Sequence, residues 1–231
     1  MPSKRFKKAL ELVDAKKNYP LKDAVVVLAK VPKAKFNETI DLAFKLGVDP
    51  KQSDQMVRGT VPLPHGSGKL VRVLVFTRDG AAADAARGAG AEYVGFEEMI
   101  AKCQAGWSDF DVAIATPEAM IEVRKLGKVL GPRGLMPNPK TGTVTDDTAK
   151  AVREVKAGRV EYKVDKAGNV HVVVGKLSFK PEQIEENARA VIEAVAKARP
   201  NSLKGSYINS CTLSATMSPP VRVDIREFST N

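Results

Sequence analysis

The side chains that could do chemistry in this sequence are hydroxyls, cations and one aromatic ring. Four hydroxyls recur at every second residue near the carboxyl end: Ser210, Thr212, Ser214 and Thr216. In a strand this spacing places them on one face, with Cys211, Leu213, Ala215 and Met217 on the opposite, candidate core face. Short hydroxyls on a flat sheet can reach the phosphates and 2′-hydroxyls of RNA, although an ordinary solvated strand carries the same residue types.

A basic and aromatic segment stands where a predicted helix gives way to a predicted strand. It reads Lys33-Ala34-Lys35-Phe36-Asn37-Glu38-Thr39. Lysines supply contacts to phosphates, and an aromatic ring between them can lie on a base or ribose. Phe36 can equally be buried as the anchor of the strand, and the sequence leaves both interpretations open.

A third feature is the segment 127–140, which holds three glycines, three prolines and three cationic side chains. This composition predicts neither a helix nor a central strand. The segment is long for a connection, and long loops are often functional. A stiff linker is the alternative.

Motifs for nucleotide and metal chemistry are incomplete. Gly66-Ser67-Gly68-Lys69 resembles the end of a phosphate-binding loop, but Leu63 stands where a glycine is required and Leu70 where Ser or Thr is required. Gly88-Ala89-Gly90 follows a predicted helix, whereas a dinucleotide fingerprint follows the first strand. Two histidines and two cysteines, none closely spaced, make no zinc set or His-based triad. We therefore expect no catalytic residue, no metal and no cofactor.

The secondary-structure elements that position these residues show two hydrophobic patterns, one at both ends of the chain and one in the middle. At both ends of the chain apolar residues alternate, as in half-buried strands, over 40–48, 56–63, 160–164, 170–174 and 206–217. Helices are predicted at 4–16, 21–29 and from Pro181 onward, and 165–168 is a hairpin signal. In the middle, apolar strands at 71–76 and 111–115 alternate with helices at 80–89, 96–104, 117–125 and from Asp146 or Asp147 to Lys156, which is typical of a parallel sheet.

The fold class predicted is therefore α+β combined with α/β. Residues 1–67 and 160–231 form a discontinuous α+β domain, and residues 68–159 form an inserted, Rossmann-like three-layer domain. With 231 residues, the chain is long enough for both.

Charge is unevenly distributed between these regions. The chain carries 37 Lys and Arg against 27 Asp and Glu, a net charge of +10, which favours a polyanionic partner such as nucleic acid. The terminal regions together carry +8 and the insert +2. The longest apolar run, 24–29, is too short to span a membrane, and two cysteines make no disulfide framework. We expect a cytoplasmic protein with no membrane contact.

Three stretches resemble the bacterial large-subunit ribosomal protein L-one family, the protein of the mobile stalk near the tRNA exit site. They are the segment from Gly131 to Val144 (GPRGLMPNPKTGTV), the segment from Arg58 to Gly66 (RGTVPLPHG) and the segment from Lys35 to Thr39 (KFNET). The resemblance extends over essentially the whole chain. It implies two domains, the first built from both termini, and no enzymatic activity. It also implies three RNA partners: large-subunit ribosomal RNA, the messenger of its own operon, which it represses, and exit-site tRNA, whose release it assists.

The resemblance also assigns residues. It implies that Lys35, Phe36, Glu38 and Thr39 lie on an RNA-contact strand, Lys166 and Gly168 on a contacting hairpin, and Ser210, Thr216 and Met217 on a carboxyl-terminal contact strand. Where the family has Thr-Met-Gly-Pro, this chain has Ser218 in place of the glycine, and we count Ser218 among the predicted RNA-contact residues. Thr212 and Ser214 join the set through the hydroxyl pattern.

Function is thus predicted to be RNA binding on the large ribosomal subunit by a protein that is monomeric off the ribosome. Translational repression through messenger RNA is a second, compatible hypothesis. A Rossmann-type enzyme is the alternative from another class, and the incomplete motifs argue against it.

Overall fold

A computed structural model describes residues 3–226 and residue 228 of the chain. It contains two compact units, each with its own apolar core. Unit 1 comprises residues 1–68 and 158–231, and unit 2 comprises residues 69–157. The mixed α/β fold agrees with the prediction.

Unit 1 is built on a four-stranded antiparallel sheet. Its strands are β1 (Thr39–Leu46), β7 (Asn169–Lys176), β8 (Ile208–Ala215) and β9 (Val221–Val223), and they lie side by side in the order β7-β1-β8-β9. The apolar alternation predicted for β1 is present, because Ile40, Leu42, Phe44 and Leu46 are all buried. Strand periodicity of two therefore gives this sheet one core face and one polar face.

Helices α2 (Leu21–Lys30) and α8 (Pro181–Lys197) pack against the sheet of unit 1. The stripe predicted on α8 is buried, including Ile184, Val191 and Val195. Helix α1 (Lys4–Glu11) ends five residues before the predicted 4–16 helix does. Asp14 accounts for the difference, because its Oδ1 accepts the Lys16 N–H and its own N–H bonds to the Tyr19 hydroxyl, which diverts the backbone from helical bonding.

The hairpin predicted around 165–168 exists only at its turn. Asp165 and Asn169 close it, and a single bridge joins Val164 to Val170. The strands then part, because β6 (Arg159–Lys163) pairs with β2 (Arg58–Pro62) in a separate two-stranded sheet, whereas β7 pairs with β1.

Unit 2 has a parallel sheet of β3 (Val73–Phe76), β4 (Tyr93–Gly95) and β5 (Val112–Ala115) in the order β4-β3-β5. Strand β4, which is only three residues long, was not predicted. The side chains of β3 alternate between two cores: Leu74 and Phe76 face one, and Val73 and Val75 the other. The sheet is therefore covered on both faces, which is the three-layer arrangement predicted.

The helices of unit 2 are α3 (Gly80–Gly88), α4 (Glu97–Gln104), α5 (Met120–Val123), α6 (Gly127–Leu130) and α7 (Thr148–Lys156). Helix α7 starts as predicted, since Asp147 Oδ1 accepts the Lys150 N–H. The expectation that 127–140 contains no helix is wrong at its start, because residues 127–130 form one turn that buries Leu130. In the part of the chain that the structure describes, no helix has the length and hydropathy needed to cross a bilayer.

Candidate nucleic-acid interface

The polar face of the unit 1 sheet gathers the predicted hydroxyl residues. Strand β8 places Ser210, Thr212 and Ser214 opposite Lys45, Ala43 and Asp41 of β1. On the other side of β1, the same three β1 residues pair with Asn169, His171 and Val173 of β7. We call these nine residues the open face, because each is half-buried or exposed while the alternate residues are buried. The three hydroxyls therefore form one row on an accessible surface.

The exposure of Phe36 decides between the two interpretations that the sequence leaves open, a buried anchor of the strand and a ring available to RNA. Its side chain lies in the connection between α2 and β1 and is 53% exposed, so it does not anchor the core. Lys33 and Lys35 beside it are both exposed. The backbone here is held to the residues after β7, because Asn37 and Ser178 exchange two hydrogen bonds of 3.0 and 3.2 Å. The ring is thus presented to solvent from a fixed segment.

Glu38 has a different role from its neighbours, since its side chain is only 2% exposed. One carboxylate oxygen accepts the Ala34 N–H at 2.7 Å and the other accepts the Met217 N–H at 2.9 Å. Such hydrogen bonds to a carboxylate are stronger than neutral ones. Glu38 therefore holds the 33–38 segment against the turn that follows β8, and its carboxylate is turned away from solvent.

Thr39 and Thr216 join the same two segments. The Thr39 N–H donates to Thr216 Oγ1 at 3.1 Å, and the Thr216 N–H donates to the Thr39 carbonyl at 3.0 Å. Lys176 Nζ donates to Thr39 Oγ1 at 2.6 Å. The hydroxyl of Thr216 is thus engaged at the end of the strand rather than being free on the open face with the other three.

The turn after β8 explains why Met217 is not a core residue. Strand β8 ends at Ala215, and the Ser218 N–H returns to the Ala215 carbonyl at 3.0 Å. The alternation stops there, so Met217 is 49% exposed instead of buried as its spacing predicts. We call the set Lys33, Lys35, Phe36, Thr39, Thr216 and Met217 the entry cluster.

Ser218 fits the turn without strain. Among the described residues every positive φ belongs to glycine, so the Ser218 backbone does not require the glycine of the family motif. Its Oγ accepts the Ala215 N–H at 2.8 Å and donates to the Pro219 carbonyl at 3.1 Å. The Ser218 hydroxyl, which a glycine would lack, therefore forms its hydrogen bonds within the same turn.

The tip at 165–168 lies at the opposite end of β1 from the entry cluster. Lys166 is exposed there, and Lys45 Nζ donates to the Ala167 carbonyl. Gly168 is buried with φ +78°, and its carbonyl accepts the Leu46 N–H at 2.8 Å. Gly168 therefore supports the tip by a close backbone approach, whereas Lys166 presents a charge.

Asp41 brings a negative charge to the open face. Burial raises the pKa of its carboxyl group, and the nearby His171 and Lys176 oppose that rise. The carboxylate is thus poorly solvated, and it is the one acidic side chain among the nine residues of the open face.

In unit 2, the helix end where a dinucleotide would bind is already occupied. The Asp79 carboxylate follows β3 and accepts the N–H groups of Ala81 and Ala82 at 3.0 and 3.3 Å. A pyrophosphate needs those same donors and would meet a negative charge there. This geometry agrees with the incomplete nucleotide motifs.

The segment 131–144 is ordered by its own side chains. Asn138 Oδ1 accepts the Lys140 N–H, and the Asn138 N–H donates to Thr143 Oγ1, both at 2.8 Å. Thr141 and Thr143 are buried, whereas Arg133 and Lys140 are exposed. The segment is a fixed loop that continues beside β5, where the Ala115 N–H donates to the Thr143 carbonyl.

Sequence reasoning missed three residues that support the candidate surface through hydrogen bonds: Arg5, Lys176 and Ser178. Lys176 and Ser178 had a weak signal, because they follow the alternating residues 170–174. Arg5 had none, since its contacts lie 27 and 212 residues away along the chain. Among the described residues no group of three or more His, Cys, Asp or Glu is arranged to hold a metal ion.

A comparison with known protein families gives a match over most of the chain. Residues 28–219 correspond to the family described as ribosomal protein L1p/L10e. The matched range includes β1, β8 and the whole of unit 2.

Proposed function

Because the chain belongs to the ribosomal protein L1p/L10e family, we propose that the open face and the entry cluster of unit 1 are its RNA-binding surface. The family consists of structural proteins that bind ribosomal RNA, not of enzymes. The chain is accordingly an RNA-binding protein of the large ribosomal subunit. The proposal concerns which residues bind and how they select RNA.

The exposed ring of Phe36 is the observation that carries this proposal, because it projects from a segment that Glu38 ties to the Met217 turn. An aromatic ring offered to solvent from a fixed backbone can stack on a base or ribose. It loses little conformational freedom on binding, because the protein has already ordered its segment.

Phosphate contacts supply the second part of the affinity. Unit 1 carries 24 Lys and Arg against 15 Asp and Glu, a net charge of +9, whereas unit 2 carries +1. Lys33, Lys35, Lys45 and Lys166 stand on or beside the proposed surface and are accessible to solvent. Each phosphate neutralised releases counterions, so binding weakens as salt rises.

Selection of RNA over DNA falls to the hydroxyl row. Ser210, Thr212 and Ser214 can donate to or accept from ribose 2′-hydroxyls across the shallow minor groove of an A-form helix. DNA lacks those groups, so the row can make these 2′-hydroxyl contacts with RNA alone.

Equilibrium binding to a ribosomal RNA fragment and to DNA of the same sequence tests the proposal. The variant is Ser210→Ala/Thr212→Ala/Ser214→Ala, and the matched control is Ser53→Ala/Ser202→Ala, exposed hydroxyls of unit 1 outside the surface. We expect the triple variant to bind RNA about tenfold more weakly, a loss of about 1.4 kcal/mol, with DNA binding unchanged. Equal RNA affinity in the triple variant, the control and the wild type would remove the row from the surface.

We also propose that the same surface binds the messenger leader of the protein's own operon and represses its translation. A surface that reads ribose hydroxyls, phosphates and one stacked base recognises shape, so two RNAs of like shape compete for it. Ribosomal RNA should displace the leader completely, and Phe36→Ala should weaken both. Simultaneous binding of the two RNAs would contradict a shared site.

Assistance in releasing deacylated tRNA from the exit site is proposed on the motif resemblance, for a protein that is monomeric off the ribosome. Ribosomes depleted of the protein should release that tRNA more slowly, and readdition should restore the rate. Light scattering of the free protein should give the monomer mass, 24.9 kDa. An unchanged release rate would remove this role.

A further inference from the structure

We propose that Arg5, on helix α1, is a positioning residue for RNA binding that fixes the entry cluster together with Glu38. The inference rests on the proposed RNA-binding surface. It assigns a role to a helix that contributes no residue to that surface.

Arg5 reaches both segments of the entry cluster. Its Nη1 donates to the Pro32 carbonyl at 2.9 Å, and its Nη2 donates to the Met217 carbonyl at 3.1 Å. Pro32 immediately precedes Lys33, so one guanidinium spans the start of the Phe36 segment and the turn after β8. A planar fork with several fixed donors suits two acceptors at once, whereas a lysine ammonium is a single point of charge on a flexible stem.

Met217 shows how completely the turn is held. Its N–H donates to Glu38 Oε2 at 2.9 Å, and its carbonyl accepts from Arg5. Both backbone polar groups of this residue are therefore bound by charged side chains from distant parts of the chain. Hydrogen bonds of this kind are stronger than neutral ones, and they fix the backbone from which the exposed Met217 side chain projects.

Glu38 and Arg5 together link the two segments at separate points. Glu38 joins the Ala34 N–H to the Met217 N–H, and Arg5 joins the Pro32 carbonyl to the Met217 carbonyl. Phe36 lies between Ala34 and Glu38 in this tied segment. Loss of Arg5 removes the link at Pro32 and leaves those made by Glu38 and by the Thr39–Thr216 pair. The start of the Phe36 segment and the turn then gain freedom that RNA binding must remove.

A direct contact between Arg5 and a phosphate is the competing explanation. Helix α1 also carries Lys4, Lys7 and Lys8, all exposed, so charge from this helix could attract RNA. The two explanations differ in salt dependence. Losing one phosphate contact lowers the slope of log affinity against log salt by about 0.7–0.9, whereas loss of positioning leaves that slope unchanged.

The test compares Arg5→Gln, Arg5→Lys and the control Lys8→Gln, which removes one charge from the same helix. Affinity for a ribosomal RNA fragment is measured across a salt series, and hydrogen exchange is measured on the free proteins. We expect Arg5→Gln to lose about tenfold in affinity, with the wild-type salt slope and with faster exchange at 32–38 and 215–218. Arg5→Lys should fall between Arg5→Gln and wild type. Lys8→Gln should leave exchange at both segments unchanged.

Two results would overturn the inference. One is an Arg5→Gln affinity equal to that of Lys8→Gln, and the other is a reduced salt slope with unchanged exchange. If Arg5→Gln does not fold, Arg5→Lys decides by the same measures, because it keeps the charge and loses only the fork. Failure of the surface itself is seen separately, since Phe36→Ala would then also bind RNA normally.

Discussion

Phe36 and Glu38 are two residues apart, yet one side chain is 53% exposed and the other 2% exposed. The motif shows that both belong to one segment, and the resemblance groups both as RNA contacts. Their different environments depend on Met217, which lies 179 residues beyond Glu38. Local sequence carries no information on a contact of that range. The segment itself could therefore be predicted, whereas the exposure of Phe36 and the burial of Glu38 could not.

Phe36→Ala should weaken binding to ribosomal RNA by about 1–3 kcal/mol, the amount typical of a base stacked on an aromatic ring. Because the ring is exposed, the free energy of unfolding should change little. Filter binding measures the first and urea unfolding the second. Val26→Ala, an exposed apolar position on α2, is the control and should retain full affinity. Wild-type affinity in Phe36→Ala would exclude stacking at this position.

Asp41→Asn should stabilise the protein at neutral pH. Burial raises the folded-state pKa of Asp41 above its unfolded value, so ionisation costs the folded state free energy. Below the unfolded pKa of about 4 both states are protonated and the cost disappears. The gain in unfolding free energy should therefore be present at pH 7 and vanish as the pH falls to about 3.

Asp165→Asn provides the control of opposite sign for this titration. The Asn169 N–H holds the pKa of the Asp165 carboxyl below its usual range, so its ionised form favours the folded state. That contribution is present above the unfolded pKa and is lost as the pH falls through the folded pKa. This variant should be less stable than wild type at pH 7. Denaturant unfolding as a function of pH measures both variants, and a loss of stability in Asp41→Asn at pH 7 would contradict the unfavourable burial of that carboxylate.

Among the elements, β1 and β8 were predictable because alternation of apolar residues is a local signal. The register between these two strands was not predictable, because it is set by pairing between residues about 170 positions apart in the chain. It places Ser210, Thr212 and Ser214 beside Lys45, Ala43 and Asp41. The hairpin at 165–168 shows the same limit. Its turn residues are local, whereas the separation of β6 and β7 into two sheets depends on β1 and β2.

Gly168→Ala should destabilise the tip that carries Lys166. The backbone there has φ +78°, and a Cβ would lie 3.2 Å from the Leu46 carbonyl oxygen. The left-handed conformation alone costs a non-glycine residue about 1–2 kcal/mol. Chemical unfolding should show at least that loss, and hydrogen exchange should become faster at 165–168. Lys166→Ala serves as the control, because it removes the charge and keeps the turn. Unchanged stability in Gly168→Ala would contradict the close approach at Leu46.

For the whole molecule, the distribution of charge along the sequence already indicates which part binds a polyanion. The basic excess follows the unit built from both termini, which carries +9, whereas unit 2 carries +1. The strands at both ends have alternating apolar residues and those in the middle are continuously apolar, and this difference also indicates an inserted α/β region. Composition does not identify the polyanion, because a net positive charge attracts any polyanion.

Deleting residues 69–157 should leave RNA binding largely intact. The break can be closed by a short linker, since Gly158 lies against Gly66: a Cβ on Gly158 would be 2.3 Å from the Gly66 Cα. Unit 1 has its own core and keeps every residue of the open face and entry cluster. Affinity for the ribosomal RNA fragment should stay within about tenfold of the full chain. A folded deletion protein that has lost nearly all binding would place the main contacts in unit 2.

Hydrogen exchange of the full chain with and without a ribosomal RNA fragment is the sharpest test of the proposed surface, because it reports every segment in one experiment. We predict slower exchange on binding at 33–39, 165–168 and 208–218, with 69–157 unchanged. Protection confined to 69–157, with 33–39 and 208–218 exchanging as in the free protein, would contradict the assignment of RNA binding to unit 1.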